Sequence, residues 1–288
     1  MKPLINFIGA GNLGKTIARL IVNHDLGTIQ GIANRTLKSS VEASKFISEG
    51  TPYTIGSLPP ADITFVTTPD DDIQKCCEDL VLNSQLKKES IILHCSGSLS
   101  SQILTSAKKY NCHVASVHPM KSFANPTLNV SQYTGTYCAI EGDPEATLIL
   151  HNFFRDIGSI TYDIDGSKKG SYHAAGVFAS NYIVALCHEA ISCLEDATVN
   201  DEVAAKVILN LMRGTLDNLE ANRSPIKSLT GPIKRGDAAT IQKHLNSLHN
   251  PRVLSLYKQL GLSTLKIASL AQDKENEIKN LLTESNIT

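Results

Sequence analysis

The stretch Leu4-Ile5-Asn6-Phe7-Ile8-Gly9-Ala10-Gly11-Asn12-Leu13-Gly14 decides how the rest of the chain reads. Its first five residues make a short, mostly apolar strand, and the glycines after it are spaced G-x-G-x-x-G. Beyond Gly14, the residues Ile17, Ala18, Leu20 and Ile21 repeat with a helical period. Strand, glycine loop and helix in this order make a cradle for a pyrophosphate. The first glycine forms the tight turn, the second admits the phosphates against the backbone, and the third lets helix and strand pack closely. The helix N-terminus then offers free N–H groups and a partial positive charge. Gly9, Ala10, Gly11, Asn12, Leu13 and Gly14 are therefore the expected dinucleotide-binding loop.

Working outward, strand-like runs recur at 29–33, 63–67, 91–93, 114–117, 137–140 and 160–164. Helical patterns at about 37–48, 71–84, 99–109 and 145–157 alternate with them. This alternation predicts βαβ units and a doubly wound, mostly parallel Rossmann sheet over residues 1–165. After Gly166 the strand signals stop and long 3.6-residue periods take over, so residues 166–288 read as a helical domain. There, 172–194 reads as one helix. Asn200 is a cap for a second, with Ala204, Val207, Ile208, Leu211, Thr215 and Leu219 on one face. Asp237 caps a third, and Pro251 opens a fourth. The fold class is thus α/β plus all-α, and 288 residues suit two domains.

Composition narrows the function. Lys and Arg total 27 against 28 Asp and Glu, a net charge of −1, so the basic stripe of a nucleic-acid binder is missing. With no Trp, seven Phe and eight Tyr, there is little from which to build a base-stacking platform. The seven cysteines are odd in number and contain no C-x-x-C pair, as expected for reduced thiols of a cytoplasmic protein. No uninterrupted apolar run approaches the length of a bilayer span, and the first strand starts too early for a signal peptide. No metal is expected, because no H-E-x-x-H or Cys/His cluster has ligand spacing. The long apolar helices after Gly166 predict a homodimer.

The cofactor can be read further. A unit that binds NAD places a carboxylate about 20 residues beyond the glycines to hold the ribose 2′-hydroxyl. Here that position is Asn34, followed by Arg35 and Thr36. Nothing repels a 2′-phosphate and Arg35 can pair with one, so NADP(H) is expected. Thr67, Thr68 and Pro69 end one strand and Ser96 follows another, where carboxyl ends of strands line the ligand crevice.

Three clusters are candidates for chemistry. His118 ends a strand, and Lys121 beside it suits an anionic substrate. His173, Ser180 and Asn181 share the first helix of the second region; seven residues at 100° bring Ser180 round to the face of His173. A histidine is a natural acid for a nascent alkoxide at neutral pH, and an Asn amide can hold the same oxygen. Arg235, before a helix start in a Gly- and Pro-shaped loop, is a candidate for a substrate carboxylate, unless it pairs with Asp237.

The segments GAGNLG (9–14), HCSG (94–97), VHPMKSF (117–123), YHAAGVFASNYIVAL (172–186) and TGPIKRGD (230–237) together resemble one family. That family joins a Rossmann-like domain to a long-uncharacterised helical domain. Some members are an alternative form of ketopantoate reductase, the NADPH-dependent enzyme of pantothenate synthesis. The resemblance implies reduction of a small 2-oxo acid, with His173 or His118 supplying the proton and Asn181 holding the oxygen. Lys121, Ser180 and Arg235 would then bind the substrate. Classical ketopantoate reductases carry a Lys and, one turn later, an Asn on the helical domain; here His173 and Asn181 stand eight apart. The HPM segment also resembles prephenate and arogenate dehydrogenases, and the layout resembles pyrroline-5-carboxylate reductase. A nucleotide sensor without turnover is the alternative from outside the enzymes.

Overall fold

The computed structural model describes residues 1–83 and 86–284. Eight strands form one sheet: β1 (Leu4–Ile8), β2 (Thr28–Ala33), β3 (Thr51–Tyr53), β4 (Ile63–Val66), β5 (Ile91–His94), β6 (His113–Pro119), β7 (Tyr137–Gly142) and β8 (Ile160–Asp163). Their order is β3-β2-β1-β4-β5-β6-β7-β8, and every neighbouring pair is parallel except β6 with β7. The first six therefore follow the doubly wound order 3-2-1-4-5-6, as the alternation predicted. Strand β3 was not legible in the sequence: it has three residues, one of them Pro52, which only an edge tolerates.

Helices α1 (Asn12–Asn23), α2 (Leu37–Ile47), α3 (Asp70–Asn83), α4 (Pro126–Ser131) and α5 (Pro144–Asp156) accompany the sheet. The pattern expected at 99–109 is a 3₁₀ helix, Ser101–Tyr110. The expected end of α3 at residue 84 lies outside the described residues. Both sheet faces are covered, so the strands are continuous apolar runs rather than alternating ones. On one face Phe7 stacks on Phe65 at 4.6 Å, and Phe153 and Phe154 of α5 tilt against Phe65. On the other, Ile8, Val66, Ile92 and Val114 pack with Leu80 of α3 and Leu104 of the 3₁₀ helix.

The chain divides into two compact units, Met1–Asn181 and Tyr182–Thr288. The division expected after residue 165 lies one helix earlier, since α6 (Lys169–Ala179) belongs to the first unit. The single helix expected over 172–194 is two. Ser180 leaves helical geometry at φ −130 and ψ −74, and α7 (Asn181–Asp196) starts after it. Ser and Asn side chains compete for backbone hydrogen bonds, which makes adjacent Ser180 and Asn181 a natural breaking point.

The second unit adds α8 (Asp201–Asn222), α9 (Pro225–Ser228), α10 (Pro232–Arg235), α11 (Ala238–Ser247), α12 (Pro251–Ala268) and α13 (Gln272–Thr283). Asn200 caps α8 and Asp237 caps α11 through their side-chain oxygens, and Pro251 opens α12, as expected. A small core of Ile241, Leu245, Leu265, Ile278 and Leu282 holds α11 to α13. The apolar face of α8 is mostly open: Ala204 and Ile208 are covered, but Val207 and Leu211 remain 47% and 65% exposed. The segment Gly166–Asp196 reaches a mean hydropathy of 1.4 over 18 residues and is by length and composition apolar enough to cross a membrane. Uninterrupted runs did not reveal this, because polar residues such as Ser180 and Asn181 divide the segment. All seven cysteines are free.

Candidate active site

The glycine loop joins β1 to α1 at the point where the strand order reverses, between β1 and β4. Gly9 has φ +84, and a Cβ on it would lie 2.5–2.9 Å from Thr68 atoms, so only glycine fits. Gly11, by contrast, faces open space. It precedes α1 with no side-chain cap, and the first turn of α1 carries no acid. The first amides of α1 are thus left for an external anion. At Gly14 a Cβ would meet Thr67 Oγ1 at 2.5 Å, as close helix–strand packing requires.

Neighbouring residues hold this loop in shape. The Ala10 amide donates to Asn34 Oδ1 at 2.6 Å, and Thr67 Oγ1 donates to the Gly9 carbonyl at 2.8 Å. Asn12 turns away, donating to the carbonyls of Phe123 and Ala124 at 3.0 Å, and Leu13 packs on the core. A cavity of about 730 Å³ opens on the loop, lined among others by Gly9, Ala10, Gly11, Asn34, Arg35, Thr36, Thr67, Thr68 and Pro69. Thr36 caps α2, and Arg35 beside it is exposed with no ion pair to an acid among the described residues. An uncapped helix start, an open Cα and an unpaired guanidinium beside a second helix start fit a dinucleotide with an extra phosphate on its ribose.

A second group of side chains gathers at the carboxyl ends of β4, β5 and β6. Asp70 accepts from Ser96 Oγ at 2.8 Å and from Ser98 Oγ at 2.7 Å, tying the exit of β4 to that of β5. Gly97 sits between two imidazoles: a Cβ there would lie 2.6 Å from His173 Cδ2 and 2.8 Å from His118 Nε2. The His118 and His173 rings are 6.1 Å apart, edge to face, so β6 and α6 bring two of the expected residues together. His118 Nδ1 is 2.9 Å from the Tyr172 hydroxyl.

The residue that sequence reasoning missed is Lys169. It is 1% exposed and the only buried residue of α6. Its Nζ donates to the Ser96 carbonyl at 2.7 Å and to Ser116 Oγ, with Glu141 Oε1 at 3.9 Å. A cation at a helix start works against the helix dipole, so these acceptors have to compensate both that and its burial. Burial brings Lys169 down to about 8, against a partly opposing pull from Glu141. Burial first, and Lys169 next, hold both His94 and His118 at about 4. His94, fully buried, accepts from the Ser96 amide through Nδ1 at 3.1 Å. No local signal marks Lys169, since Lys168 precedes it in an ordinary helix start.

Other expected residues are placed differently. Ser96 is used structurally, its hydroxyl on Asp70 and its carbonyl on Lys169, and it does not line the cavity. The angle that brings Ser180 to the face of His173 needs one continuous helix, and α6 ends at Ala179. Ser180 and Asn181 are exposed at the break. Lys121 follows β6 half-buried, with no ion pair among the described residues. Arg235 belongs to the second unit, at the last turn of α10, where a cation is electrostatically favoured, and it faces Asp237 at 3.9 Å. Among the described residues no group of three His, Cys, Asp or Glu is arranged to hold a metal.

A domain family of unknown function (DUF2520) matches residues 136–264. No curated protein sequence matches the chain. Among solved structures, a protein from Bacteroides fragilis assigned as an NADP oxidoreductase is 23% identical, with a TM-score of 0.74 over 92% of this chain and 98% of that one. A Thermotoga maritima protein is 26% identical at TM-score 0.72 with the same coverage. An imine reductase from Myxococcus stipitatus in complex with NADP⁺ is 15% identical at TM-score 0.63, over 92% and 93% of the two chains. These likenesses establish the Rossmann-type fold with its helical extension.

Proposed function

We propose that this chain is an NADP(H)-dependent oxidoreductase that reduces a small 2-oxo acid, with ketopantoate as the substrate. One observation carries the reading: the cavity that opens on the Gly9–Gly11 cradle is lined by Asn34 where a carboxylate would favour NAD, with Arg35 beside it. The NADP oxidoreductase and the NADP⁺-bound imine reductase of like fold support it. Bound there, the reduced dinucleotide supplies a hydride to the substrate carbon. The α1 amides would hold the pyrophosphate and Arg35 the 2′-phosphate, with Thr36 beside it. Three inter-strand steps of ~4.8 Å put His118 roughly 14 Å along the sheet edge from the loop, the side on which a nicotinamide half would lie. His118 or His173 then supplies the proton to the carbonyl oxygen, and Lys121 binds the carboxylate. Asn181, at the helix break, is the assigned partner for the same oxygen.

The test is NADPH oxidation, followed at 340 nm, over a panel of 2-oxo acids with ketopantoate among them. Ketopantoate-dependent oxidation is expected. Activity on a cyclic imine, or NADP⁺ reduction by prephenate, moves the assignment to those substrates. Tight NADPH binding with no turnover on any compound replaces an enzyme by a nucleotide sensor.

A further inference from the structure

His118 does not stand alone. Tyr162 on β8 donates its hydroxyl proton to the Tyr172 oxygen at 3.4 Å. With that oxygen accepting, the Tyr172 hydroxyl is free to donate, and His118 Nδ1 lies 2.9 Å away. The three groups form a directed row, Tyr162 to Tyr172 to His118, carried by β8, α6 and β6 of one compact unit. An Nδ1 that accepts leaves the ring proton on Nε2. Nε2 and Cε1 make the ring edge that faces Gly97, with the His173 ring 6.1 Å away. At its far end the row reaches Tyr162, half-buried on the edge strand and edge-on to the exposed Tyr137 ring at 6.5 Å.

We infer that His118 delivers a proton from Nε2 to the reacting oxygen and regains one at Nδ1 through Tyr172 and Tyr162. This assignment rests on the reductase reading above and selects between its two histidines. The groups facing His118 explain why it needs a supply line. Lys169 and His173 of α6 stand on one side, with Asp70 of α3 and His94 of β5 near the same strand ends. Burial and the Lys169 charge keep the imidazole neutral well below pH 7, so it has no spare proton to give. A neutral imidazole that loses Nε2–H becomes an anion unless Nδ1 is protonated in the same event. The row supplies that proton. Reduction of the carbonyl carbon leaves its oxygen needing one proton. That proton comes from Nε2, the Tyr172 hydroxyl protonates Nδ1, the Tyr162 hydroxyl protonates Tyr172, and a proton from bulk water restores Tyr162, leaving hydroxide to the solvent. No protein group is left charged, and the substrate gains one hydride and one proton; His118 ends protonated on Nδ1, and return of its proton to Nε2, with the hydroxyls turning back, resets the row. Burial raises the Tyr172 hydroxyl, so it stays protonated and serves as a conduit rather than as an anion.

Imidazole ¹⁵N NMR of the full chain tests the row without any substrate. At pH 7 the His118 signals are expected to report a neutral ring protonated on Nε2. Tyr172→Phe, which removes only the hydroxyl, is expected to abolish that fixed tautomer, and Tyr162→Phe to weaken it. A wild-type His118 carrying its proton on Nδ1, or charged at pH 7, overturns the assignment, as does a Tyr172→Phe spectrum identical to wild type. With ketopantoate and NADPH, Tyr172→Phe is expected to lower kcat about 10- to 100-fold, within the span of general acid catalysis, with KM for NADPH unchanged. The solvent isotope effect should fall from a multi-proton to a single-proton form. An unchanged kcat and isotope effect overturns the relay. A wild type inactive on every 2-oxo acid but with the expected tautomer counts against the substrate reading, while the tautomer result still supports the row.

Discussion

Replacing His94 by Asn isolates one proton in the acid stability of the first unit. His94 is fully buried at the end of β5, and its Nδ1 accepts from the Ser96 amide. Asn offers an oxygen near the same place, so the acceptor is kept while the titration is removed. Burial and Lys169 depress the folded value from 6.5 to about 4. The sign follows from linkage. The unfolded chain binds the proton more tightly, so this histidine contributes full stability above about pH 6.5 and loses it as the pH falls through 4. At one unit per 1.36 kcal/mol, the loss between pH 7 and pH 4 is about 3 kcal/mol, and the slope near pH 5 is roughly 1.2 kcal/mol per pH unit. Against a typical total of about 5–15 kcal/mol, that is a large share. Urea unfolding followed by circular dichroism at several pH values gives the curve for each protein. Hydrogen exchange of the β5 and β6 amides ties it to the sheet. His94→Asn is expected to be less stable at pH 7, because the smaller side chain leaves a void, yet to lose about 3 kcal/mol less on going to pH 4. Parallel curves for the two proteins between pH 7 and pH 4 would refute the reasoning.

Further outcomes follow from the same geometry. Arg35→Ala should weaken NADP⁺ binding about 10- to 100-fold by calorimetry while NAD⁺ changes little, the range for losing a charge-assisted hydrogen bond. Gly97→Ala should drive a methyl between the His118 and His173 rings and cut turnover about 100-fold, with NADP⁺ affinity retained. Lys169→Met should abolish a rise in stability of about 3 kcal/mol between pH 8 and pH 10.5, the window in which folded Lys169 has lost its proton and unfolded Lys has not. Helices α7 and α8 leave Val184, Val207 and Leu211 exposed, apolar surface of the kind a partner covers. A second copy of the chain is the expected occupant: sedimentation should show a dimer, and Leu211→Glu with Val184→Glu a monomer.

What could be read from the sequence was local. The strand, the glycine loop and the helix start are contiguous, and the missing carboxylate lies at a fixed offset, so the geometry of the glycine cradle was legible from spacing alone. The caps Asn200 and Asp237 and the helix start at Pro251 were legible for the same reason. The loop's own supports were not. Asn34, expected to bind the cofactor, lines the cavity and also closes the loop on Ala10, a contact set by how β2 sits beside β1. The helical arithmetic at His173 assumed an unbroken helix, and one residue out of helical geometry at Ser180 undid it. Apolar periodicity along α8 gave the face but not its cover, because the same stripe serves a core or a partner.

Lys169 shows why the chemical half was harder. Its partners come from the turn after β5 and from β6 and β7, brought together only by the strand order, so no window of sequence contains the group. Its consequences are equally non-local. It is the only buried side chain of α6, so what docks this helix on the sheet edge is a cation on oxygen acceptors rather than an apolar stripe. The same charge helps to hold His94 and His118 neutral, and a neutral His118 can act as an acid only with a donor behind it. One buried amine therefore both positions the helix that carries Tyr172 and His173 and sets the condition that makes Tyr172 necessary.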